Sequence, residues 1–215
     1  MVQKIDISSL RVDYTLAKFN EEDVNPDPFK QFAAWFADAL NAKVNEPNAM
    51  TLSTVNEHGK PSSRIVLLKS FDKKGFVFFT NYDSTKGKHI ANQPAVALNF
   101  CWLELQRQVR IEGIATKISV SESDSYFHSR PFESQLGAHA SAQSSIIKGR
   151  AELESNYEAT KIKFSNTEIY RPENWGGYLV NAKLIEFWQG RSNRLHDRIE
   201  FELIDKQWHI NRLSP

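Results

Sequence analysis

From Ala49 onward the apolar residues recur at a period of two, in short runs joined by tight turns, and helical spacing returns only late. That order excludes a doubly wound α/β fold, which needs strands and helices in alternation. Met50–Val55, Arg64–Ser70 and Gly75–Thr80 read as strands, with turns at Glu57–Lys60 and Asp72–Gly75. Ala95–Leu105 and Gln108–Ile118 make an antiparallel pair, and Gly177–Trp188 and Arg198–Ile210 return to strands, with Gly176-Gly177 marking the turn into the first. Helices are expected at Pro28–Leu40, where Asp27 caps and Phe29, Phe32, Ala33, Phe36, Ala39 and Leu40 form an apolar stripe. Others are expected from Ser84 to before Pro94, over Ser121–Ser141 and over Ala151–Asn166. The fold class is therefore mainly β with peripheral helices, an antiparallel barrel. The domain reading is a flexible N-terminal arm, residues 1–25, ahead of one domain, residues 26–215.

Composition narrows the function. With 27 Lys+Arg against 26 Asp+Glu the net charge is +1, so no global field favours nucleic acid or an anionic membrane. The longest apolar run, Phe32–Ala37, is too short to span a bilayer, and the N-terminus lacks a signal-peptide core. One cysteine, Cys101, excludes a disulfide framework and reads as a buried small hydrophobe between Phe100 and Trp102. A cytoplasmic protein is the expectation. Six scattered histidines give no metal-ligand spacing, and no Rossmann, P-loop or nucleophile-elbow motif occurs.

Four segments carry chemistry. Ser84 can cap a helix directly after a strand, and the Ser84 and Thr85 hydroxyls with Lys86 and Lys88 make a phosphate cradle, or an ordinary capped surface helix. Arg64 and Lys69 bracket four aliphatic residues and leave a regular strand on opposite faces unless a bulge intervenes, able to serve two different anions, or simply charging the two ends of a strand. Tyr126, Arg130 and Ser134, spaced by four, share a helix face only if the helix survives Pro131, which is expected to break it; their groups are typical phosphate ligands, or the polar face of an amphipathic helix end in water. On an extended chain Arg194, His196 and Arg198 point to one side, which inside a barrel calls for an anionic or electron-rich partner and otherwise reads as a solvated edge-strand face, with Asp197 able to offset part of the charge from the other side.

Together these segments resemble the pyridoxamine/pyridoxine 5′-phosphate oxidase family. The resemblance is carried by Arg64–Lys69, Phe79–Lys86, Arg107-Gln108-Val109, His128-Ser129-Arg130-Pro131 with Ser134-Gln135, Gln143-Ser144, Trp175-Gly176-Gly177, Phe187–Gly190 and Arg194–Arg198, in family order from about residue 50 to the end. It implies a split β-barrel that binds FMN, a homodimer, and FMN held across the subunit interface. By the same resemblance FMN is bound by Arg64, Ile65, Val66, Leu67, Leu68, Lys69, Phe79, Thr80, Thr85, Lys86, Gln108, Gln143, Ser144, Trp188 and Arg198. Lys69, Tyr126, Arg130 and Ser134 then hold the substrate phosphate, and Arg194 and His196, the catalytic pair, lie over the pyridine ring. Arg11 and Tyr14 of the arm close the site. The implied reaction oxidises pyridoxamine or pyridoxine 5′-phosphate with dioxygen, without a metal. The alternatives are an FMN reductase on the same barrel and a non-catalytic binder of vitamin phosphate. The chain departs from the family at Thr85, where an arginine is usual, and at His139, where tryptophan is frequent.

Overall fold

The computed structural model describes residues 6–10 and 12–215. They form a mainly antiparallel β structure with peripheral helices, in strand order Pro61–Leu67, Ala49–Val55, Ala95–Trp102, Arg107–Lys117, Trp175–Gln189, Gly75–Asn81, Ser70–Asp72, with Asp197–Ile204 paired to Trp175–Gln189 and Gln207–Arg212 to Asp197–Ile204. By its internal contacts the chain divides into two compact units, one gathering the stretch up to Pro47, Phe100–Arg110 and Leu184–Pro215, the other Asn48–Asn99 and Ile111–Lys183.

In the second unit, β1 (Ala49–Val55) pairs along its whole length with β2 (Pro61–Leu67), and its centre pairs with β5 (Ala95–Trp102). Burial alternates along β1, so Met50, Leu52 and Thr54 turn inward. β3 (Ser70–Asp72) pairs with β4 (Gly75–Asn81), and β4 pairs with the start of β7 (Trp175–Gln189). α2 (Thr85–Asn92) starts where the Ser84 hydroxyl accepts the Gly87 N–H. Position 87 must be glycine, because a Cβ there would lie 2.1 Å from the Tyr82 carbonyl oxygen. β6 (Arg107–Lys117) leads to α3 (Val120–His128), α4 (Phe132–Ala140) and α5 (Arg150–Lys163), and a buried cluster of Phe127, Leu136, Phe164, Ile169 and Trp175 joins these helices to the first residue of β7.

In the first unit, α1 (Pro28–Asn41) is capped by Asp27, whose carboxylate accepts the Phe29 and Lys30 N–H groups at 2.9 and 3.3 Å. α1 buries Phe32 and Trp35 in an aromatic core, Phe32 against Phe100 at 5.1 Å and Trp35 against Phe187 at 5.2 Å. Ala33 and Leu40 of the expected stripe are exposed, whereas Trp35, outside that stripe, is buried. Phe19 joins that core from the N-terminal segment, 4.9 Å from Trp35. β8 (Asp197–Ile204) pairs with the end of β7, and β9 (Gln207–Arg212) folds back on β8.

Several sequence expectations are corrected. Arg64–Ser70 is not one strand: β2 ends at Leu67, because the Leu68 N–H is taken by the Asn48 carbonyl and the Lys69 N–H by Val77 in β4, both at 2.8 Å. The helical segments expected over Ser121–Ser141 are two, parted at Ser129–Pro131 as Pro131 implied, so that expectation holds. Arg198–Ile210 is a hairpin, turned by Asp205 and Lys206, both at positive φ without a glycine to announce it. Arg194 belongs to a short turn, Ser192–Arg194, in which Asn193 and Arg194 are left-handed, so it shares no extended face with Arg198. Gly176 and Gly177 lie inside β7, after the turn. Cys101 is exposed, since alternation that buries Phe100 and Trp102 turns it outward.

Replacing Asp27 with alanine orphans the first N–H groups of α1. Asp27→Ala should lower the unfolding free energy by about 1 kcal/mol in urea denaturation. An unchanged midpoint would contradict the capping role.

Candidate functional site

The second unit contains a cavity of about 510 Å³ whose walls carry four cationic side chains, Arg64, Lys69, Lys86 and Arg130, and no carboxylate. β2 supplies Arg64 and the backbone of Ile65–Leu67, and the strand break at Leu67 brings Lys69 to the same cavity rather than to the opposite face. Phe79 and Thr80 come from β4, Lys86 from the first turn of α2, and Trp175 from β7. Tyr126, Arg130 and Ser134 arrive from the end of α3, the proline break and the start of α4, so the break does not separate them.

Two groups form within these walls. Lys86 is buried, and its Nζ donates to Gln143 Oε1 at 2.8 Å, Thr80 Oγ1 at 3.1 Å and Ser84 Oγ at 3.3 Å. None of these partners carries charge, and burial, then the Arg64 cation, lowers its pKa to about 8. Arg64 is held by the Leu52 carbonyl at 3.1 Å, the Thr54 hydroxyl at 2.8 Å and the Ser62 hydroxyl at 2.7 Å. The second group is aromatic. Tyr126 stacks on Phe79 with centroids 3.8 Å apart, and the Arg130 guanidinium lies 4.5 Å from the Trp175 ring centre. Arg130 Nη1 is buried and has no hydrogen-bond partner. An unsatisfied buried donor costs about 1–3 kcal/mol, so the cavity is built for an acceptor that the chain does not supply. An oxyanion fits that donor set.

A second cavity of about 510 Å³ belongs to the first unit and is lined by Tyr14, Arg194 and His196 together with Leu10, Val12, Asp13, Arg191 and Asn193. The His196 ring lies 4.6 Å from Trp188 and 5.9 Å from Tyr14. Burial, followed by the Arg194 cation, holds the imidazole pKa below its usual value. Arg198 is engaged elsewhere: its Nε donates to Glu186 Oε1 at 2.7 Å, and Glu186 also takes Arg110 Nη2 at 2.6 Å. Burial alone would raise the Glu186 pKa, but the two arginines outweigh it and hold the carboxyl low. Sequence reasoning missed this carboxylate. Its only signal was a single acid in the apolar run Leu184–Trp188.

The other expected residues scatter. Leu68 is buried in the core, Thr85 and Lys88 are exposed on α2 and line neither cavity, and Ser144 is exposed at positive φ. Gln108 is half-buried on β6, and Arg11 lies outside the described residues. His139 packs against Phe164 and its Nε2 contacts the Tyr170 carbonyl at 2.6 Å, away from both cavities. Among the described residues no group of three His, Cys, Asp or Glu could hold a metal, and no helix is long and apolar enough to cross a membrane.

Known proteins match this arrangement over nearly its whole length. Residues 36–164 match the family model for pyridoxamine 5′-phosphate oxidase, and residues 175–215 match that for the pyridoxine 5′-phosphate oxidase C-terminal dimerisation region. Curated relatives named pyridoxine/pyridoxamine 5′-phosphate oxidase include one from Cyanothece sp., 53% identical over 98% of this chain and 99% of that protein. Another, from Nostoc sp., is 55% identical over 97% of this chain and 98% of that protein. Among solved structures, PhzG from Burkholderia lata in complex with tetrahydrophenazine-1-carboxylic acid superposes with a TM-score of 0.87 at 29% identity, covering 93% of this chain and 98% of that one. A Nostoc punctiforme FMN-binding protein related to pyridoxamine 5′-phosphate oxidase superposes at 0.71 with 18% identity, over 89% of this chain and 100% of that one, which shows the shared split-barrel fold.

Lys86 sets a pH dependence. Its charged form exists below about pH 8, so sulfate binding to the apoprotein should tighten as pH falls through that value. Stability runs the other way and rises with pH between about 8 and 10.5, where the unfolded chain holds the proton that folded Lys86 gives up. Both trends should flatten in Lys86→Met. Calorimetric sulfate affinity that ignores pH in the wild type would contradict this account.

Proposed function

The chain belongs to the pyridoxamine 5′-phosphate oxidase family, and on that premise we propose that it is an FMN-dependent oxidase making pyridoxal 5′-phosphate from pyridoxamine 5′-phosphate or pyridoxine 5′-phosphate. The observation that carries the reading is the unpartnered Arg130 donor in a cavity with three further cations and no carboxylate. That is more positive charge than one phosphate needs, and it suits one phosphate from the cofactor and one from the substrate. The 53–55% identity to the named oxidases outweighs the 29% identity to PhzG in choosing the substrate class.

In this reading Arg64 and Lys86 face the FMN phosphate, with Thr80 and Gln143 fixing the Lys86 ammonium. The backbone of Ile65–Leu67, with Lys69 and Phe79, lines the same cavity and completes the cofactor set there, while Leu68, Thr85, Gln108, Ser144, Trp188 and Arg198, which the resemblance adds, lie outside its lining. Lys69, Tyr126, Arg130 and Ser134 take the substrate phosphate, and this remote binding energy orients the reacting carbon. Arg194 and His196 position the pyridine ring, and Tyr14 with Arg11 covers it. FMN, when bound, would supply the redox chemistry, coupling oxidation of the substrate to reduction of dioxygen. Overall, pyridoxine 5′-phosphate and dioxygen give pyridoxal 5′-phosphate and hydrogen peroxide; the amine substrate also consumes water and releases ammonia. The protein acts as a homodimer with FMN shared between subunits, a reading supported by the dimerisation-region match. It works in the cytoplasm, consistent with its single cysteine.

Anaerobic pyridoxine 5′-phosphate should bleach the yellow absorbance of the FMN-loaded protein, and air should restore it with formation of hydrogen peroxide. Bleaching by a reduced nicotinamide but not by the vitamin phosphate would overturn the reading in favour of a reductase. Arg194→Ala should keep bound FMN while lowering kcat/KM about 100-fold for both substrates. Flavin loss with normal turnover after reconstitution would refute the placement of Arg194.

A further inference from the structure

Within the first unit, Asp197 is buried and accepts three donors. Its Oδ2 takes the Phe19 N–H at 3.0 Å and Arg191 Nη1 at 2.6 Å, and its Oδ1 takes Arg212 Nη1 at 3.0 Å. Burial would raise its pKa, but the three donors outweigh it, so the group is a carboxylate. The residue it grips most closely, Arg191, donates its backbone N–H to His196 Nδ1 at 3.1 Å. A backbone N–H can only donate, so Nδ1 is the acceptor nitrogen and the proton of the neutral ring sits on Nε2. Between the two residues, Asn193 and Arg194 both occupy the left-handed region without being glycine. Such a turn persists only where its surroundings hold it.

We propose that Asp197 is a positioning residue that, through Arg191, holds the 191–196 turn so that His196 keeps its proton on Nε2 and meets the ligand as a hydrogen-bond donor, not as a base. The tautomer follows from the chain alone; its catalytic consequence rests on the substrate reading of this cavity given above. The charged or titratable groups around the ring are Arg191, Arg194, Asp197, Asp13 and Tyr14. Arg194 disfavours imidazolium and Asp197 favours it, with burial adding to the former. In the substrate reading a neutral donor at this place suits an acceptor atom on the pyridine ring, and Nδ1, occupied by the Arg191 N–H, is not free to take a proton.

The test is long-range ¹H–¹⁵N correlation spectroscopy of ¹⁵N-histidine-labelled, FMN-loaded protein, with His196 assigned among the six histidines by His196→Gln. The expected result is a single Nε2–H tautomer for His196 near neutral pH. Asp197→Asn keeps the shape but weakens the grip on Arg191, and should give a mixture of both tautomers with at least a tenfold fall in kcat/KM while FMN stays bound. Arg191→Gln, which leaves Asp197 its Phe19 and Arg212 partners, should do the same and serves if the first variant does not fold. An Nδ1–H tautomer in the wild type, or a wild-type pattern in the folded variants, overturns the proposal. The expected spectra from a protein that vitamin phosphate fails to bleach would overturn the proposed reaction and leave the tautomer lock standing.

Discussion

Four cations facing one cavity without a carboxylate repel one another, and the second unit is arranged around containing that repulsion. Lys86 is stripped of water and given only neutral oxygens, from Thr80, Ser84 and Gln143, so it sits close to losing its proton. Arg64 is held by a carbonyl and two hydroxyls of β1 and β2. Arg130 lies over the Trp175 ring, which offers its electron-rich face but no lone pair. Each of these solutions orients a cation without neutralising it. An ion pair would have stabilised the apoprotein more and left less for an incoming anion.

The first unit follows the opposite rule. There five arginines are paired with carboxylates: Arg107 with Asp38, Arg110 and Arg198 with Glu186, Arg191 and Arg212 with Asp197. Glu186 and Asp197 are both buried, and each draws two arginines to a fixed place on neighbouring strands or turns. Removing either acid would leave two half-buried guanidinium groups without their counter-charge. The pairs therefore set the shape around Trp188 and His196, whereas the unpaired cations of the second unit set an affinity.

Much of this was legible in the sequence where local chemistry decides. Alternation marked β1, β4 and the β5 and β6 strands because one face of each is buried, and Asp27-Pro28 and Ser84 marked helix starts through caps that need only neighbours in sequence. The end of β2 was not legible, since it depends on Asn48, in the turn before β1, and Val77, in β4, capturing consecutive N–H groups. The turn at Asp205-Lys206 lacked the glycine that normally signals such a hairpin. At the site, Tyr126, Arg130 and Ser134 were found by spacing although the helix that suggested the spacing is broken. Glu186 went unseen because a lone acid in an apolar strand acquires meaning only once β6 and β8 lay arginines beside it.

The central claim is that the second unit holds two phosphates on separate cations, Arg64 with Lys86 for one and Lys69 with Arg130 for the other. ³¹P nuclear magnetic resonance of the FMN-loaded protein titrated with pyridoxal 5′-phosphate tests it directly. The account predicts two bound phosphate signals that coexist, with Arg130→Met abolishing only the one added by the titrant. A single bound signal, in which pyridoxal 5′-phosphate displaces FMN, would contradict it.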